Sequence, residues 1–311
     1  MIQMFFQIFT ADLLIATLGM ATPLIFGSIS GMFSELTGVI NLGIEGMMLM
    51  GAFGAGIISL ATGNPWLGVL FGMFLGGCMG VIHSVMCIKF RANQSVVGVG
   101  INIMAAGIPA VMLQYYWGNP GRTPQVASID NIAIPLLKEI PLIGKIFADI
   151  NPLTLLALLL VISAHWLVYH TPFGLRMRAV GHHPKAVDTA GINVFAIRYI
   201  SVITSGVLAG IGGAYLSVAQ LSMFVNDMTA GRGFIALAAM IFGKRTPLGC
   251  FGAALLFGFS DALQMTLQAI GVPIASDFLL MVPYVLTMIA LAGFVGKTVD
   301  PAANGKPYVK A

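Results

Sequence analysis

One polar block, residues 171–194 (TPFGLRMRAVGHHPKAVDTAGINV), interrupts a chain built mainly of long apolar runs. Arg176, Arg178, Lys185 and Asp188 crowd into it. Such a segment has no place in hydrocarbon, where open backbone groups and charges find no partners. The flanking runs do belong there, because about 20 apolar residues span a bilayer core. Runs of that size lie near 9–30, 39–62, 66–88, 95–116, 153–169, 196–220, 248–269 and 278–295. The expected fold is therefore all-α: a polytopic transmembrane helical bundle of about 8–10 spans, with 1–311 forming one membrane domain.

Composition excludes the soluble alternatives. Hydrophobic residues make up 58% of the chain and charged residues 8%, against about 25% charged in soluble domains. The net charge of +4 is not a nucleic-acid footprint, since the cations sit at the ends of runs and not on one basic face. The first residues, MIQMFFQIFTADLL, carry no basic segment ahead of the apolar run. A cleaved signal peptide is not expected, and the first span should be retained. Cys78, Cys87 and Cys250 lie in or beside apolar segments without metal-ligand spacing. They are read as small buried apolar residues, with no metal site.

Cation placement orients the bundle. With 171–194 in the cytoplasm and spans threaded alternately, eleven Lys and Arg fall inside: 89, 91, 176, 178, 185, 198, 244, 245, 297, 306 and 310. Four fall outside: Arg122, Lys138, Lys145 and Arg232. The N-terminus is then outside, and the C-terminal tail 296–311 is cytoplasmic. Block 171–194 carries small and helix-forming residues in place of a flexible Ser/Gly repeat. It reads as an ordered loop on which a soluble partner docks. The external loop 117–152 is either a landing site for an extracytoplasmic partner or a plain cap over helix ends. Its stretch IPLLKEIPLIGKIF suits a short helix lying along the interface.

Phe234 to Phe242 is too short to cross roughly 30 Å of core alone. It is expected as a re-entrant half-helix that leaves through Lys244–Arg245, completing a crossing with help from the preceding loop. GRGF (231–234) puts free N–H groups at its external start. They favour an acceptor atom, such as one of a polar solute; Arg232 either joins them or bonds a loop carbonyl. Gly72, Gly76 and Gly80, and later Gly206 and Gly210, recur every four residues. Small residues at that interval let helices approach closely.

Ionisable and amide groups at membrane depth are the candidate functional residues. Asn41 and Glu45 lie four apart and share one helical face, with Gly43 and Gly46 on either side of Glu45. They either line a translocation path or tie neighbouring helices together. Asn102 and Gln94 open the fourth span, and either face a polar path or cap a helix. His83 and Asp261 are read as interior hydrogen-bonding groups. Nucleotide-binding, metalloprotease, nucleophile-elbow and paired-Cys motifs are missing. The chain is not expected to be an enzyme, and any ATP hydrolysis belongs to another subunit.

Several stretches resemble a known family in the right order. GVINLGIEGMMLMGAF (38–53) resembles the second-helix motif of permease subunits from ABC importers of the branched-chain amino-acid and simple-sugar class. FGLRMRAVGHHPKAVDTAGINV resembles their cytoplasmic coupling loop, and TAGRGFIALAAMIFGKRTPLG (229–249) their re-entrant helix and following turn. FGFSDALQ (257–264), MVPYVLT (281–287) and NGKPYVK (304–310) are similar to the nucleoside branch. His182–His183 departs from the family, where His or Asn followed by an acid is commoner.

The resemblance implies a prokaryotic inner-membrane subunit that imports a small neutral polar solute by alternating access. Nucleosides are expected, with a simple sugar, a branched-chain amino acid or an ion-coupled carrier as alternatives. It implies a cytoplasmic ATP-binding subunit holding ATP and Mg, a second and different permease subunit, and an extracytoplasmic solute-binding protein. This chain itself binds no cofactor. Coupling to the ATPase then falls to Phe173, Gly174, Arg176, Arg178, Gly181, His182, Pro184, Lys185, Asp188 and Gly191, with Gly181, Pro184 and Gly191 shaping the turn. The path falls to Asn41, Glu45, Met47, Asn102 and Phe234.

Overall fold

A computed structural model describes residues 11–119, 121–132, 150–271 and 300–310, with isolated positions at 278, 281, 285 and 288. The interfacial helix expected within 117–152 lies outside the described residues, and so does the expected span 278–295 apart from those isolated positions. Ten α-helices are described: α1 Ala11–Glu35, α2 Ile44–Thr62, α3 Pro65–Ser84, α4 Gln94–Trp117, α5 Pro152–His170, α6 Pro172–His182, α7 Pro184–Thr189, α8 Val194–Tyr215, α9 Arg232–Phe242 and α10 Pro247–Ile270. Wider π-turns extend α3 through Lys89 and α8 through Gln220. Seven helices, those labelled α1 to α5, α8 and α10, are long and apolar enough to cross a bilayer. The bundle is all-α among the described residues, as the sequence leads one to expect.

Local chemistry sets the helix ends. Asn64, Asn151, Thr171 and Thr246 each precede a proline and accept a hydrogen bond from a first-turn N–H. The side chain satisfies an orphan donor while the proline needs none. Gly63, Gly118 and Gly271 close α2, α4 and α10 in the left-handed conformation, which glycine adopts without a Cβ clash.

α1, α2 and α8 form the centre. α3 packs against α8 through the two glycine series: a Cβ on Gly76 would lie 2.7 Å from Gly210 Cα, and one on Gly80 would lie 3.0 Å from the Val202 carbonyl. The spacing read in the sequence is thus one seam between two helices. Polar rungs join the centre, with Ser30 Oγ donating to Ser205 O at 2.7 Å and Thr22 to Thr154 at 2.9 Å. Leu156, Ile162 and Trp166 of α5 and Val99, Ile103 and Val111 of α4 are exposed. Such apolar faces are suited to lipid.

The connections collect at two ends. At one, residues 121–132 run along 218–226: Thr123 N donates to Phe224 O at 2.9 Å, Val126 N to Ser222 O at 2.9 Å and Ile129 N to Val218 O at 2.8 Å. Phe224 is buried edge-on to Phe53, with ring centres 5.2 Å apart. At the other end lie 36–40, the 171–194 segment, Arg245 and the tail 300–310. The polar block and the tail therefore share one end.

Candidate translocation and coupling sites

The second span does not begin at 39 as expected. Residues 36–43 are irregular, and α2 starts at Ile44. Irregular backbone packed among apolar helices needs protein groups to satisfy it. Ile40 N donates to Gln94 Oε1 at 2.7 Å, and His83 Nε2 bonds Ile40 O at 3.0 Å. Asn102 brackets the break, donating to Leu42 O at 3.0 Å and accepting from Gly46 N at 2.8 Å. Asn41 donates to Ser205 Oγ at 3.0 Å and accepts from Gly43 N at 3.1 Å. The polar residues singled out at membrane depth converge on this one segment. The exceptions are Glu45, whose carboxylate turns to another helix, and Asp261, half-buried on α10.

Glu45 lies in the first turn of α2 and is 8% exposed. Its carboxylate accepts from Gly231 N at 2.8 Å and Gly233 N at 2.5 Å, closing the N-terminus of α9. Those N–H groups were expected at an external helix start, open to a solute. In the structure a protein carboxylate takes them, Gly233 being buried and Gly231 half-buried. Arg232 turns back to the Met228 and Thr229 carbonyls at 3.2 and 3.4 Å. With 11 residues, α9 is about 16 Å long, and the irregular run 221–231 leads into it. Of the five path candidates, Asn41, Glu45 and Met47 are buried, Asn102 is half-buried and Phe234 is 49% exposed.

The 171–194 block folds into α6 and α7. Gly174 is buried, and a Cβ there would lie 2.6 Å from the Val168 carbonyl carbon, so α5 turns sharply into α6. Gly181 does not shape a turn as expected. It is helical and packs against the Leu36 carbonyl, where a Cβ would overlap. Pro184 opens α7, and Gly191 makes the left-handed turn (φ 79°) that leads into α8. Arg176, His182, Lys185 and Gly191 are exposed, while Phe173, Arg178, Pro184 and Asp188 are half-buried. Arg178 lies over the Tyr169 ring at 5.1 Å.

Sequence reading missed what braces this end. Arg245, 8% exposed, pairs with Glu35 at 2.6 Å and Asp300 at 2.7 Å. Tail residue Ala303 N donates to Gly181 O at 2.9 Å, and Gly305 N to Gly38 O at 3.2 Å. Tyr308 donates to Asp188 Oδ2 at 2.9 Å. No cluster of metal-ligating side chains is found among the described residues.

A bundle of spanning helices with a broken second helix, an internal half-helix and a braced helical hairpin at one end defines a multi-pass membrane permease. The chain belongs to the family described as branched-chain amino acid transport system / permease component, which matches residues 13–291. It is 42% identical over 305 residues to the guanosine ABC transporter permease protein NupQ of Bacillus subtilis, covering 95% of each chain. It is 42% identical over 314 residues to the nucleoside ABC transporter permease protein NupC of Lactococcus lactis, covering 98% of each. A second guanosine permease of B. subtilis, NupP, is 24% identical over 300 residues, covering 93% of this chain and 85% of its own. No solved structure matches.

Proposed function

We propose that this chain is the nucleoside-translocating permease subunit of an ABC importer in a prokaryotic inner membrane. The observation that carries the reading is the end-to-end similarity to permeases described as moving guanosine and nucleosides. The chain supplies the path, and a partner ATPase holds ATP and Mg. The hairpin α6–α7 faces the cytoplasm together with the tail, and the N-terminus is external. ATP-driven closure of the ATPase dimer displaces the hairpin, and the helices exchange inward- and outward-open arrangements.

NupP and NupQ, two guanosine permeases of one organism, support pairing with a second, different permease chain. A solute-binding protein delivers substrate to the outer end. Within the path, Phe234 offers an exposed aromatic face on which a nucleobase stacks. Glu45 positions the helix that carries it. A neutral solute suits a path whose candidate carboxylate, Glu45, is already occupied by backbone donors.

The test is ATP-dependent uptake of radiolabelled uridine or guanosine into proteoliposomes holding this chain with its permease partner, ATPase and binding protein. Uptake competed by nucleosides but not by ribose or leucine is expected. ATP hydrolysis without nucleoside uptake would discard the substrate, and failure to recover an ATPase subunit would discard the importer.

A further inference from the structure

Two buried guanidinium groups stand at the end that carries the hairpin, and among the described residues one of them has counter-ions and the other has none. Arg245 holds Glu35 and Asp300. Arg198, 2% exposed on α8, donates to the backbone carbonyls of Thr37 at 3.1 Å and Lys306 at 3.3 Å. Its Nη2 finds no acceptor, and no carboxylate pairs with it among the described residues. A buried charge without a counter-charge is costly.

Arg198 lines a cleft of about 720 Å³ between the hairpin and the tail. His182, His183 and Lys185 stand on the hairpin side, and Lys306 and Lys310 on the tail side. Among the described residues the cleft lining holds the four cations Lys185, Arg198, Lys306 and Lys310 and no Asp or Glu side chain. Asp188 lies close by, committed to Tyr308 at 2.9 Å and 3.9 Å from Lys310. Like charges around one concave space raise its potential and draw in an anion. The volume falls within the roughly 300–1,000 Å³ of small-molecule sites. Lys and Arg side chains together suit phosphate oxygens, as point charges and a planar fork.

We propose that this cleft binds a phosphate-bearing anion, either a soluble phosphate ester or a phospholipid headgroup. The four positive charges match a dianionic group better than a single carboxylate. One wall is the hairpin and the other the tail, so the anion adds a third link between two elements already joined by Ala303–Gly181 and Tyr308–Asp188. A ligand favouring one spacing of those walls shifts the transport equilibrium by its differential affinity. The inference rests on the proposed cytoplasmic placement of the hairpin.

The test uses the complete transporter in nanodiscs, wild type against the double variant Lys306→Gln/Lys310→Gln. Neither side chain supports a helix, and nucleotide sites on the ATPase subunit are the same in both preparations. In phosphatidylcholine nanodiscs, saturable binding of uridine 5′-monophosphate that weakens about tenfold or more in the variant assigns the cleft to a soluble ester. Phosphatidic acid retained by the wild type and lost from the variant, with no such nucleotide difference, assigns it to a headgroup. Equal behaviour of both proteins towards both probes overturns the proposal. So does a variant that changes only in its hold on the ATPase subunit, because an acidic protein side chain then fills the cleft. ATP-driven uridine uptake, measured in the same wild-type preparation, reads the transport function separately. Binding without uptake would leave the cleft standing and remove the importer reading.

Discussion

Gly233 donates its backbone N–H to Glu45 at 2.5 Å, and a Cβ on Gly233 would lie 2.5 Å from the Glu45 backbone. α9 thus starts flush against the first turn of α2, with a carboxylate filling the gap at its positive end. Glu45→Gln keeps an acceptor and removes the charge. It should preserve assembly and most uptake, with a modest fall in thermal stability. Glu45→Ala strands both donors and should cost roughly 2 kcal/mol. Thermal unfolding in detergent, read beside uptake, separates the two. If Glu45→Gln abolishes uptake at unchanged stability, the charge itself serves transport and capping is not its main role.

Gly76→Ala pushes a methyl group into the α8 backbone at the tightest part of the α3–α8 seam. Overpacking of this kind costs about 1–3 kcal/mol. Gly107→Ala on α4 is the control, because nothing lies within 4 Å of a Cβ there. It should be neutral or stabilise by up to about 1 kcal/mol through helix propensity. Equal destabilisation by both would show that the seam is looser than the packing implies.

These contrasts show how far the sequence speaks for itself. Hydropathy marks the spans because a helix in lipid needs only length and apolarity, and the four-residue glycine series marks the seam because close approach admits little else. Glu45 was legible as a residue of interest, but its partners Gly231 and Gly233 lie nearly 190 positions away. Neither pattern nor spacing connects them. The irregular stretch 39–43 was hidden for a related reason. Its residues are apolar enough to pass for helix, and the groups that satisfy it come from Gln94, His83 and Asn102 on other spans. Arg245, Glu35 and Asp300 are likewise ordinary run-end charges until folding joins them. The Asn-Pro and Thr-Pro helix starts, by contrast, were readable from local chemistry and were overlooked.

Removing one member of that buried cluster leaves its partners uncompensated. Arg245→Ala or Glu35→Ala should each destabilise by about 3–5 kcal/mol. The double replacement Glu35→Leu/Arg245→Met removes both buried charges and should cost much less. It leaves only Asp300, whose side chain is 64% exposed and can be hydrated. Additive losses in the double variant would mean that the pair contributes little beyond the packing of its side chains.

Lys244 and Arg245 both hold positive φ, 55° and 53°, in the turn that swings α9 into α10. A left-handed non-glycine residue costs about 1–2 kcal/mol. Arg245 has its ion pairs as a reason to remain, whereas Lys244 is exposed and forms no ion pair among the described residues. Lys244→Gly should therefore stabilise the protein by about 1 kcal/mol, seen as a higher unfolding temperature with uptake unchanged. Lys244→Val, whose branched side chain tolerates this backbone poorly, should move stability the opposite way. A destabilised glycine variant would mean that the Lys244 side chain makes a contact whose value exceeds the backbone strain.

The hairpin offers a parallel pair of glycines with opposite reasons for being there. Gly181 is helical and pressed against the Leu36 carbonyl, while Gly191 has φ 79° and nothing within 4 Å of a Cβ. Gly191→Ala should cost only the backbone preference, about 1 kcal/mol, and leave coupling close to normal. Gly181→Leu must drive α6 away from the α1–α2 connection and from Ala303, which donates to the Gly181 carbonyl at 2.9 Å. ATP-dependent uptake should be lost while membrane insertion survives, because none of the spanning helices is altered. ATPase activity of the reconstituted complex distinguishes the causes: hydrolysis that continues without uptake marks uncoupling, and hydrolysis that stops marks a detached subunit. Normal uptake by Gly181→Leu would remove the hairpin's seat on Leu36 from the coupling mechanism.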